Sequence, residues 1–122
     1  MVLAPEHSLA AEVARQIDAY FERRLTEFDL PLKPASGNFA QAMRQAMIDI
    51  PLGRTRTYGE IARDLGVTAQ AVGQGCGANS IPIIVPCHRV LAQCGLGGFS
   101  GGRGIETKVA LLRLESAASL LI

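Results

Sequence analysis

The sequence predicts a mainly α-helical protein with one short β hairpin, an N-terminal helix, and a pair of short helices joined by a turn. Three observations favour this fold class. Apolar residues recur at helical spacing in several segments, glycines and prolines separate those segments, and a glycine-rich stretch precedes the last helix. With 122 residues, 48% of them hydrophobic, the chain is long enough for one domain with an apolar core, or for one domain and part of another.

The N-terminal part of the chain predicts two longer helices. The first runs from residue 8 to about residue 25, and its apolar residues return every three or four positions: Leu9, Val13, Ile17, Tyr20, Phe21 and Leu25. After a short extended piece and a loop, a second helix begins at Asn38, where Gln41 has the spacing that completes a capping box. Pro51-Leu52-Gly53 ends this helix, because proline lacks the backbone N–H that would continue it.

Two short helices come next. Thr57 and Glu60 have the spacing of a capping box, and Gly66 is placed to end the first helix. Thr68 is placed to cap the second, which runs to about Ala78 and consists largely of small residues. Glycine costs about 1 kcal/mol in a helix interior, so such a run does not serve stability, but its bare face lets another backbone or a DNA groove approach closely. The pair is typical of a helix-turn-helix, and an ordinary helical hairpin is the alternative.

The C-terminal third of the chain predicts a hairpin, a loop and a closing helix. Residues 91–99 are glycine-rich and predict a hairpin or loop, and residues 100–104 form a flexible segment of the type that often binds ligands. A plain connection is the alternative for this loop. Residues 108–115 then predict an amphipathic helix, followed by an apolar tail.

Composition and charge narrow the function classes. The net charge of +1 argues against a protein that binds nucleic acid through its overall charge, but it allows one focused basic patch. Residues 51–90 carry four arginines against Glu60 and Asp64, a mildly basic stretch. Three cysteines without metal-ligand spacing predict a reducing cytoplasm, no disulfide framework and no metal site. The N-terminus lacks the pattern of a secretory signal, and no apolar run approaches the roughly 20 residues that a membrane span needs.

Cys87 carries the strongest indication of chemistry. It follows an apolar run and stands in the sequence Pro86-Cys87-His88-Arg89, which offers a sulfur nucleophile, a neighbouring imidazole and a rigid turn. The other histidine of the chain, His7, lies near the N-terminus, so Cys/His chemistry points to His88. The alternative is a buried core cysteine, which is the usual case. Adjacent side chains of an extended segment diverge, so proton transfer between the two needs a turn or a bridging water.

Six segments of the chain follow the pattern of one protein family in consistent order. They are residues 56–62 (Arg-Thr-Tyr-Gly-Glu-Ile-Ala), 71–74 (Ala-Val-Gly-Gln), 77–79 (Gly-Ala-Asn), 81–90 (Ile-Pro-Ile-Ile-Val-Pro-Cys-His-Arg-Val), 97–102 (Gly-Gly-Phe-Ser-Gly-Gly) and 108–115. Together they resemble the C-terminal domain of the O6-alkylguanine-DNA alkyltransferases, also called methylated-DNA–protein-cysteine methyltransferases. The most specific part is the Pro-Cys-His-Arg-Val block, preceded by a turn that contains Asn79. The resemblance spans about residues 38 to 116.

The resemblance divides the chain at about residue 36. Residues 1–36 hold a helix and an extended piece that resemble only the tail of the family's N-terminal α/β domain, most of which is missing here. Residues 37–122 resemble the alkyltransferase C-terminal domain, which implies a winged helix-turn-helix-like DNA-binding fold. The oligomeric state stays open, because either the N-terminal helix or a dimer could cover the surface that the missing domain would bury.

The resemblance implies direct and irreversible DNA repair. Double-stranded DNA that contains O6-alkylguanine is bound, the damaged nucleotide is rotated out of the duplex, and the alkyl group passes to Cys87. No cofactor regenerates the thiol, so each molecule acts once, as a methylated-DNA–protein-cysteine S-methyltransferase. The implied location is the cytoplasm, at the nucleoid when the protein is on DNA, and no membrane or metal ion is involved.

The resemblance also implies roles for the residues of the site. Cys87 is the nucleophile, His88 is a base that a water molecule links to it, and Glu115 supports His88. Tyr58 and Ser100 supply a proton or hydrogen bonds to the leaving guanine. The other residues implied in substrate binding are Asn79, Val90, Phe99 and Gly101. In this family the asparagine ties the helix pair to the cysteine segment, and the carbonyl of the valine reads the amino group of the base.

DNA contacts are implied mainly for the helix pair, whose second helix enters the minor groove in this family. The residues implied are Thr57, Ala69, Gln70, Ala71, Gly73 and Arg89. Small side chains suit a narrow groove that offers little base-specific readout. Gln70 stands where the family usually carries an arginine that fills the gap left by the extruded base. Glutamine lacks the charge and the planar guanidinium, so we expect weaker DNA binding and less efficient base flipping.

Two other functions are compatible with the sequence. One is a non-enzymatic, alkyltransferase-like damage sensor that binds alkylated DNA and flags it for other proteins. Such sensors typically replace the cysteine, whereas Cys87 is present here. The other is a winged-helix regulator whose cysteine has no chemical role. Alkylation of Cys87 by a damaged duplex would separate transfer from both alternatives.

Overall fold

The computed structural model describes residues 8–93, 95, 97 and 104–115, and it confirms a mainly helical fold with a small sheet. The elements, in chain order, are α1 (Leu9–Phe21), α2 (Asn38–Ile48), β1 (Arg56–Thr57), α3 (Tyr58–Leu65), α4 (Ala69–Gly77), a 3₁₀ turn (Cys87–Arg89), β2 (Val90–Leu91) and α5 (Ile105–Leu114). The chain separates into two compact units, Met1–Lys33 and Pro34–Ile122. Among the described residues, no helix is long and apolar enough to cross a membrane.

The first unit consists of α1 and a segment that folds back on it. Ser8 caps the helix, because its hydroxyl accepts a hydrogen bond from a backbone N–H of the first turn at 3.0 Å. The helix ends at Phe21, earlier than predicted, and Arg23 beyond it takes a left-handed conformation with φ of 62°. The buried amide of Gln16 donates to the carbonyl of Asp29 at 2.8 Å and accepts from its N–H at 2.9 Å. This pair of bonds holds the extended segment against the helix.

Helix α2 begins at Asn38, as predicted, but without the predicted capping box. Its N-cap is Gly37, which has no side chain to accept a hydrogen bond and whose φ of 93° suits glycine. The amide of Gln41 donates instead to the carbonyl of Ala35 at 3.3 Å. The capping-box prediction is therefore wrong, because the N-cap lies one residue before the position with which Gln41 would pair.

The predicted helix pair is confirmed as α3 and α4. The hydroxyl of Thr57 accepts from the N–H of Glu60 at 3.1 Å, and the carboxylate of Glu60 accepts from the N–H of Thr57 at 2.8 Å. Gly66 ends α3 in the left-handed conformation, with φ of 67°. Thr68 caps α4 by accepting from the N–H of Ala71 at 3.1 Å. Local sequence signals therefore fix both ends of α3 and the start of α4.

One glycine of α4 serves helix packing. A Cβ placed on Gly75 would lie 2.9 Å from the Cγ of Met43 on α2, a distance that real Cβ atoms do not show. The small residue therefore lets α4 approach α2 closely. Gly73 and Gly77 differ from it, because a Cβ on either would meet nothing within 4 Å. Only part of the small-residue run of α4 is thus open on its outer face.

The small sheet differs from the predicted hairpin. Strands β1 and β2 pair in parallel, with Arg56 opposite Val90 and Thr57 opposite Leu91. An isolated antiparallel bridge between residues 92 and 95 is the part of the predicted hairpin that the described residues show. Because β1 leads directly into α3 and β2 follows the Cys87 turn, the pairing sets the start of α3 beside that turn. This contact joins segments more than 30 residues apart in the chain.

Candidate active site

The turn that carries Cys87 is held by Asn79. Its side-chain N–H donates to the carbonyl of Val85 at 2.9 Å, and its side-chain oxygen accepts from the N–H of Ile81 at 3.1 Å. Between them Ile83 has φ of 77°, a left-handed conformation that β-branched residues rarely adopt and that costs about 1–3 kcal/mol. The hydrogen bonds of Asn79 hold this strained segment in one shape. The end of α4 is thereby tied to the cysteine segment, where the sequence prediction placed Asn79.

Cys87 opens the 3₁₀ turn and is almost completely buried. Its N–H donates to the carbonyl of Val85 at 2.8 Å, and the residue is 4% exposed. Burial raises the pKa of the Cys87 thiol above its ordinary value, whereas a hydrogen bond from Asn79 and the positive charge of Lys108 lower it. The thiol therefore stays largely protonated near neutral pH. A reaction that uses this sulfur as a nucleophile needs a base or a nearby positive charge.

His88 and Arg89, the next two residues of the turn, form a buried cluster with Glu115 at the C-cap of α5. Nε2 of His88 is 2.7 Å from Oε2 of Glu115. The guanidinium of Arg89 donates to both carboxylate oxygens of Glu115, from Nε at 2.8 Å and from Nη2 at 3.0 Å. Its Nη1 donates to the carbonyl of Ile50 at 2.7 Å. Glu115 thus ties the turn to the C-cap of α5, and Arg89 also ties the turn to Ile50, just beyond α2. The positive charge of Arg89 compensates the negative charge of the Glu115 carboxylate.

The second ring nitrogen of His88 is exceptional. Nδ1 is buried and has no hydrogen-bond partner within the described part of the chain. When Nε2 carries the proton and donates it to Glu115, Nδ1 presents a lone pair that accepts a proton or a hydrogen bond. Buried polar atoms are nearly always satisfied, so an unpaired one marks a position where another polar group fits. The cluster therefore provides a base whose orientation is fixed.

Arg89 corrects the sequence prediction that it contacts DNA. The residue is 6% exposed, and Nε, Nη1 and Nη2 all donate to protein acceptors. A guanidinium held in this way does not reach a phosphate in a DNA groove. The prediction is wrong because Glu115 and the carbonyl of Ile50 bind the guanidinium in the protein interior.

Lys108 is a buried charged side chain that the sequence analysis did not single out. It is fully buried, and its Nζ donates to the carbonyl of Val90 at 2.7 Å and lies 5.9 Å from the centre of the Tyr58 ring. Burial lowers its pKa to about 8, although the nearby thiols of Cys76 and Cys87 raise it. Lysine is rarely buried so completely without partners. Lys108 therefore joins α5 to Val90, which follows the turn, and places a positive charge near Tyr58 of α3 and near Cys87.

A sequence signal for Lys108 does exist on α5. The residues at positions 108, 111, 112 and 115 are all buried, and this spacing puts them on one face of the helix. The two middle residues are leucines, so the apolar stripe begins with Lys108 and ends with Glu115. A stripe bounded by opposite charges that both face the core indicates two buried polar sites rather than a solvated helix.

Gly97 lies directly against Tyr58. A Cβ at Gly97 would be 2.7 Å from the phenol oxygen and 2.9 Å from Cε2 of the ring, and the glycine has φ of 73°. Both the contact and the conformation exclude other residues without a shift. The backbone of the glycine-rich loop therefore helps to fix where the Tyr58 hydroxyl points.

We expect Gly97→Ala to displace the Tyr58 hydroxyl and to slow the alkyl transfer that the family resemblance implies. The expected loss is about 10- to 100-fold, the size of effect that a 1 Å misplacement in an active site can have. The measurement is the rate of transfer from an O6-methylguanine duplex in single turnover. Gly59→Ala is the control, since its Cβ would make an ordinary contact 3.9 Å from Thr57 and should leave the rate unchanged. Equal rates for the two variants would show that the Gly97 contact has no functional role.

The structure gathers most of the remaining predicted DNA-binding residues on the helix pair. Ala69 and Gln70 are exposed in the first turn of α4, and Ala71 and Gly73 are half-buried on the same helix. Thr57 is half-buried, and its hydroxyl caps α3.

The predicted substrate-binding residues Phe99, Ser100 and Gly101 lie outside the described residues. In the ranges that are described, no three His, Cys, Asp or Glu side chains are grouped to hold a metal ion.

Comparison with known proteins gives one consistent family. Residues 38–117 match the family model of the 6-O-methylguanine DNA methyltransferase DNA-binding domain. The methylated-DNA–protein-cysteine methyltransferase of Mycobacterium leprae is 46% identical over 114 residues, covering 91% of this chain and 68% of the relative. That of Methanosarcina acetivorans is 43% identical over 109 residues, covering 87% of this chain and 69% of the relative.

Similar solved structures indicate the same family as these relatives. The crystal structure of Mycobacterium tuberculosis OGT in complex with DNA has a TM-score of 0.81 and 46% identity, covering 88% of this chain and 67% of that one. S. pombe Atl1 in complex with damaged DNA containing O6-carboxymethylguanine is more distant, with a TM-score of 0.52, 32% identity, and coverage of 63% and 74%. The fold is thus that of a helix-turn-helix domain seen bound to DNA. On its sequence and its structure, the chain belongs to the family of methylated-DNA–protein-cysteine methyltransferases.

Proposed function

We propose that this protein repairs DNA by transferring an alkyl group from O6 of guanine to Sγ of Cys87. The alkyl carbon–oxygen bond breaks and a carbon–sulfur bond forms, so the thiol loses its proton and the guanine regains one. The observation that carries the proposal is the buried Cys87 on a rigid turn whose next residue, His88, has one nitrogen on Glu115 and the other without a described partner. The thioether is stable, so each molecule reacts once.

Activation of the thiol is the task of His88 in this proposal. Because burial raises the pKa of Cys87, the resting sulfur is a thiol and not a thiolate. A water molecule on Nδ1 of His88 would pass the proton of Cys87 to the imidazole, while Glu115 stabilises the resulting imidazolium. The water relay removes the need for two adjacent side chains to touch.

The leaving guanine needs a proton or hydrogen bonds at the base, and Tyr58 is our proposed donor. Strand pairing sets the start of α3 beside the Cys87 turn, and Gly97 packs against the Tyr58 ring. Val90 lies in the same pairing, and we propose that its carbonyl reads the amino group of the base. We also propose that Phe99, Ser100 and Gly101 contact the base and that Asn79 holds the cysteine segment in place beside it.

DNA engagement is proposed for α4 and the start of α3. The exposed or half-buried positions of α4 that we assign to DNA binding are Ala69, Gln70, Ala71 and Gly73. Thr57 lies at the N-cap of α3. Small side chains let the helix enter a minor groove. The alkyl carbon on O6 lies at the major-groove edge of guanine, away from a helix in the minor groove. The nucleotide must therefore be rotated out, at a cost of about a few kcal/mol. We propose that the substrate is duplex DNA with O6-alkylguanine and that the protein acts in the cytoplasm.

Gln70 offers a test of how the base is extruded. We expect Gln70→Arg to raise the transfer rate on duplex DNA by roughly tenfold, because a guanidinium adds charge and a stacking plane worth about 1–2 kcal/mol. The rate with free O6-benzylguanine, which needs no extrusion, should stay unchanged. Gln74→Arg, which is also exposed and one turn further along α4, is the control for charge alone. An equal gain in both variants, or no gain in either, contradicts the role given to position 70.

A damage sensor without transfer is the second candidate, and the likeness to Atl1 bound to damaged DNA favours it. The presence of Cys87 argues for transfer, because a free thiol next to the proposed general base His88 can accept the alkyl group. The two are separated by mixing the protein with equimolar O6-methylguanine duplex and counting the lesions that remain. Loss of one lesion per protein molecule supports repair. A stable complex in which every lesion remains supports the sensor.

A further inference from the structure

The tight turn just before Cys87 contains a residue in an unfavourable backbone conformation. Ile83 and Ile84 are the central residues of this turn, which lies between Pro82 and Val85, and Ile83 has φ of 77°. Turns with positive φ at the first central residue usually carry glycine there, because a Cβ crowds the backbone in this conformation. Ile84 does not share the conformation, although both isoleucines are half-buried.

The conformation of Ile83 follows from the way the turn is closed. The N–H of Val85 donates to the carbonyl of Ile81 at 3.0 Å, so the chain must reverse within the three residues between them. Proline cannot adopt positive φ, which leaves the reversal to the two isoleucines. Asn79 closes the same loop a second time, because its side chain binds the N–H of Ile81 and the carbonyl of Val85.

Packing of the Ile83 side chain does not account for this unfavourable conformation. The side chain is half-buried, so it gains only part of the free energy that a fully buried isoleucine gains by leaving water. Glycine at this position would remove the strain, and asparagine would reduce it. Strained residues cluster at functional sites, where the surrounding structure holds them in place. The strain at Ile83 therefore points to a role in the neighbouring site.

Val85 connects the strained turn to the sulfur-bearing residue. Its carbonyl accepts from the N–H of Cys87 at 2.8 Å and from the side chain of Asn79 at 2.9 Å. Its own N–H is the group that closes the turn, so the peptide groups on both sides of Val85 are held. A change of backbone at Ile83 therefore shifts Val85, and with it the start of the 3₁₀ turn at Cys87.

We propose that Ile83 is a positioning residue of the transfer site, whose strained and rigid backbone holds Val85, and through it Cys87, in one position. A β-branched residue has few conformations, whereas glycine in its place would let the turn move. The strain lowers the stability of the folded protein and fixes the place of the sulfur. This inference rests on the proposed function, because it assigns that fixed place to alkyl transfer. Ile83 acts through Val85 and takes no part in the chemistry.

The first experiment tests the strain. It compares Ile83→Gly with Ile84→Gly, which removes the same side chain one position later without relieving strain. We expect the midpoint of unfolding in guanidinium chloride to stay at or above the wild-type value in Ile83→Gly, since relief of strain offsets the lost packing. In Ile84→Gly nothing offsets that loss, so the midpoint should fall. An equal fall in both variants, or an Ile83→Gly variant that does not fold, would contradict the strain.

The second experiment measures the position of the sulfur separately from stability. For Ile83→Gly we expect transfer from a saturating O6-methylguanine duplex to be about tenfold slower in single turnover, as for a small misplacement in an active site. Affinity for the duplex should stay unchanged, because the predicted DNA contacts lie on other segments. Alkylation of Cys87 by iodoacetamide should be faster, because a looser turn exposes the buried thiol more often. Ile83→Val keeps the branched side chain and should match wild type throughout.

Two further outcomes would overturn the proposal. One is transfer at the wild-type rate in Ile83→Gly, and the other is an iodoacetamide rate equal to that of wild type. The iodoacetamide reaction needs no DNA, so it separates this inference from the repair function. A wild-type protein that never removes methyl from DNA refutes repair, and a faster iodoacetamide reaction in Ile83→Gly would then still support the positioning of Cys87.

Discussion

A Cys87→Ala variant is expected to lose alkyl transfer completely while keeping its affinity for DNA. The reaction has no other acceptor in the proposal, and removal of a catalytic nucleophile typically costs about 10⁴- to 10⁶-fold in rate. Binding should persist, because the predicted DNA contacts lie on α4 and at the start of α3, whereas Cys87 is buried. Single-turnover transfer and fluorescence anisotropy with the same O6-methylguanine duplex measure the two properties.

Cys76→Ala is the matched control for this variant. Cys76 is also a free and buried cysteine, and burial raises the pKa of its thiol to about 12, so it remains protonated. We expect this variant to transfer at a rate close to wild type. Transfer that survives Cys87→Ala, or that disappears only in Cys76→Ala, would assign the chemistry to a different sulfur.

Glu115→Ala is expected to have the largest effect on stability. It would leave the guanidinium of Arg89 buried without its carboxylate and remove the partner of Nε2 of His88. Removing one partner of a buried ion pair costs about 3–5 kcal/mol. We therefore expect the free energy of unfolding, measured in guanidinium chloride, to fall by that amount, and any folded fraction to transfer slowly because His88 is no longer oriented.

The control for Glu115→Ala is an exposed ion pair in the same unit. Asp64 is 59% exposed and binds Arg56 at 2.7 Å, so Asp64→Ala should cost less than about 1 kcal/mol. Equal losses in the two variants would mean that the buried cluster is not a special source of stability. A Glu115→Ala variant of normal stability and normal transfer rate would contradict both roles given to this carboxylate.

Local signals in the sequence were sufficient for the helix pair but not for every helix end. The bonds between Thr57 and Glu60 join residues three apart, so the pattern alone predicts them. The same pattern failed at Gln41, because nothing local distinguishes Asn38 as a cap from Asn38 as the first helical residue. The parallel pairing of β1 with β2 was not predicted either, since short strands distant in sequence leave no periodic signal.

The site shows the same division between local and tertiary information. The Pro-Cys-His-Arg sequence indicated Cys87 and His88, and the family resemblance added Glu115. The structure brings the histidine and the glutamate together across 27 positions of the chain. Arg89 was predicted to contact DNA, and only the packing of α5 reveals that its partner is the buried Glu115. Lys108 was not singled out, although charged residues are rarely buried and the buried stripe that it shares with Glu115 carried the signal.

Peptide mapping by mass spectrometry tests the central claim most directly. The protein is incubated with an equimolar O6-methylguanine duplex, digested, and each cysteine-containing peptide is examined for added methyl. The account predicts one methyl group on the peptide that contains Cys87, none on the other cysteines, and unmodified guanine in the DNA. A duplex that is bound but still methylated, with an unmodified Cys87 peptide, would contradict it.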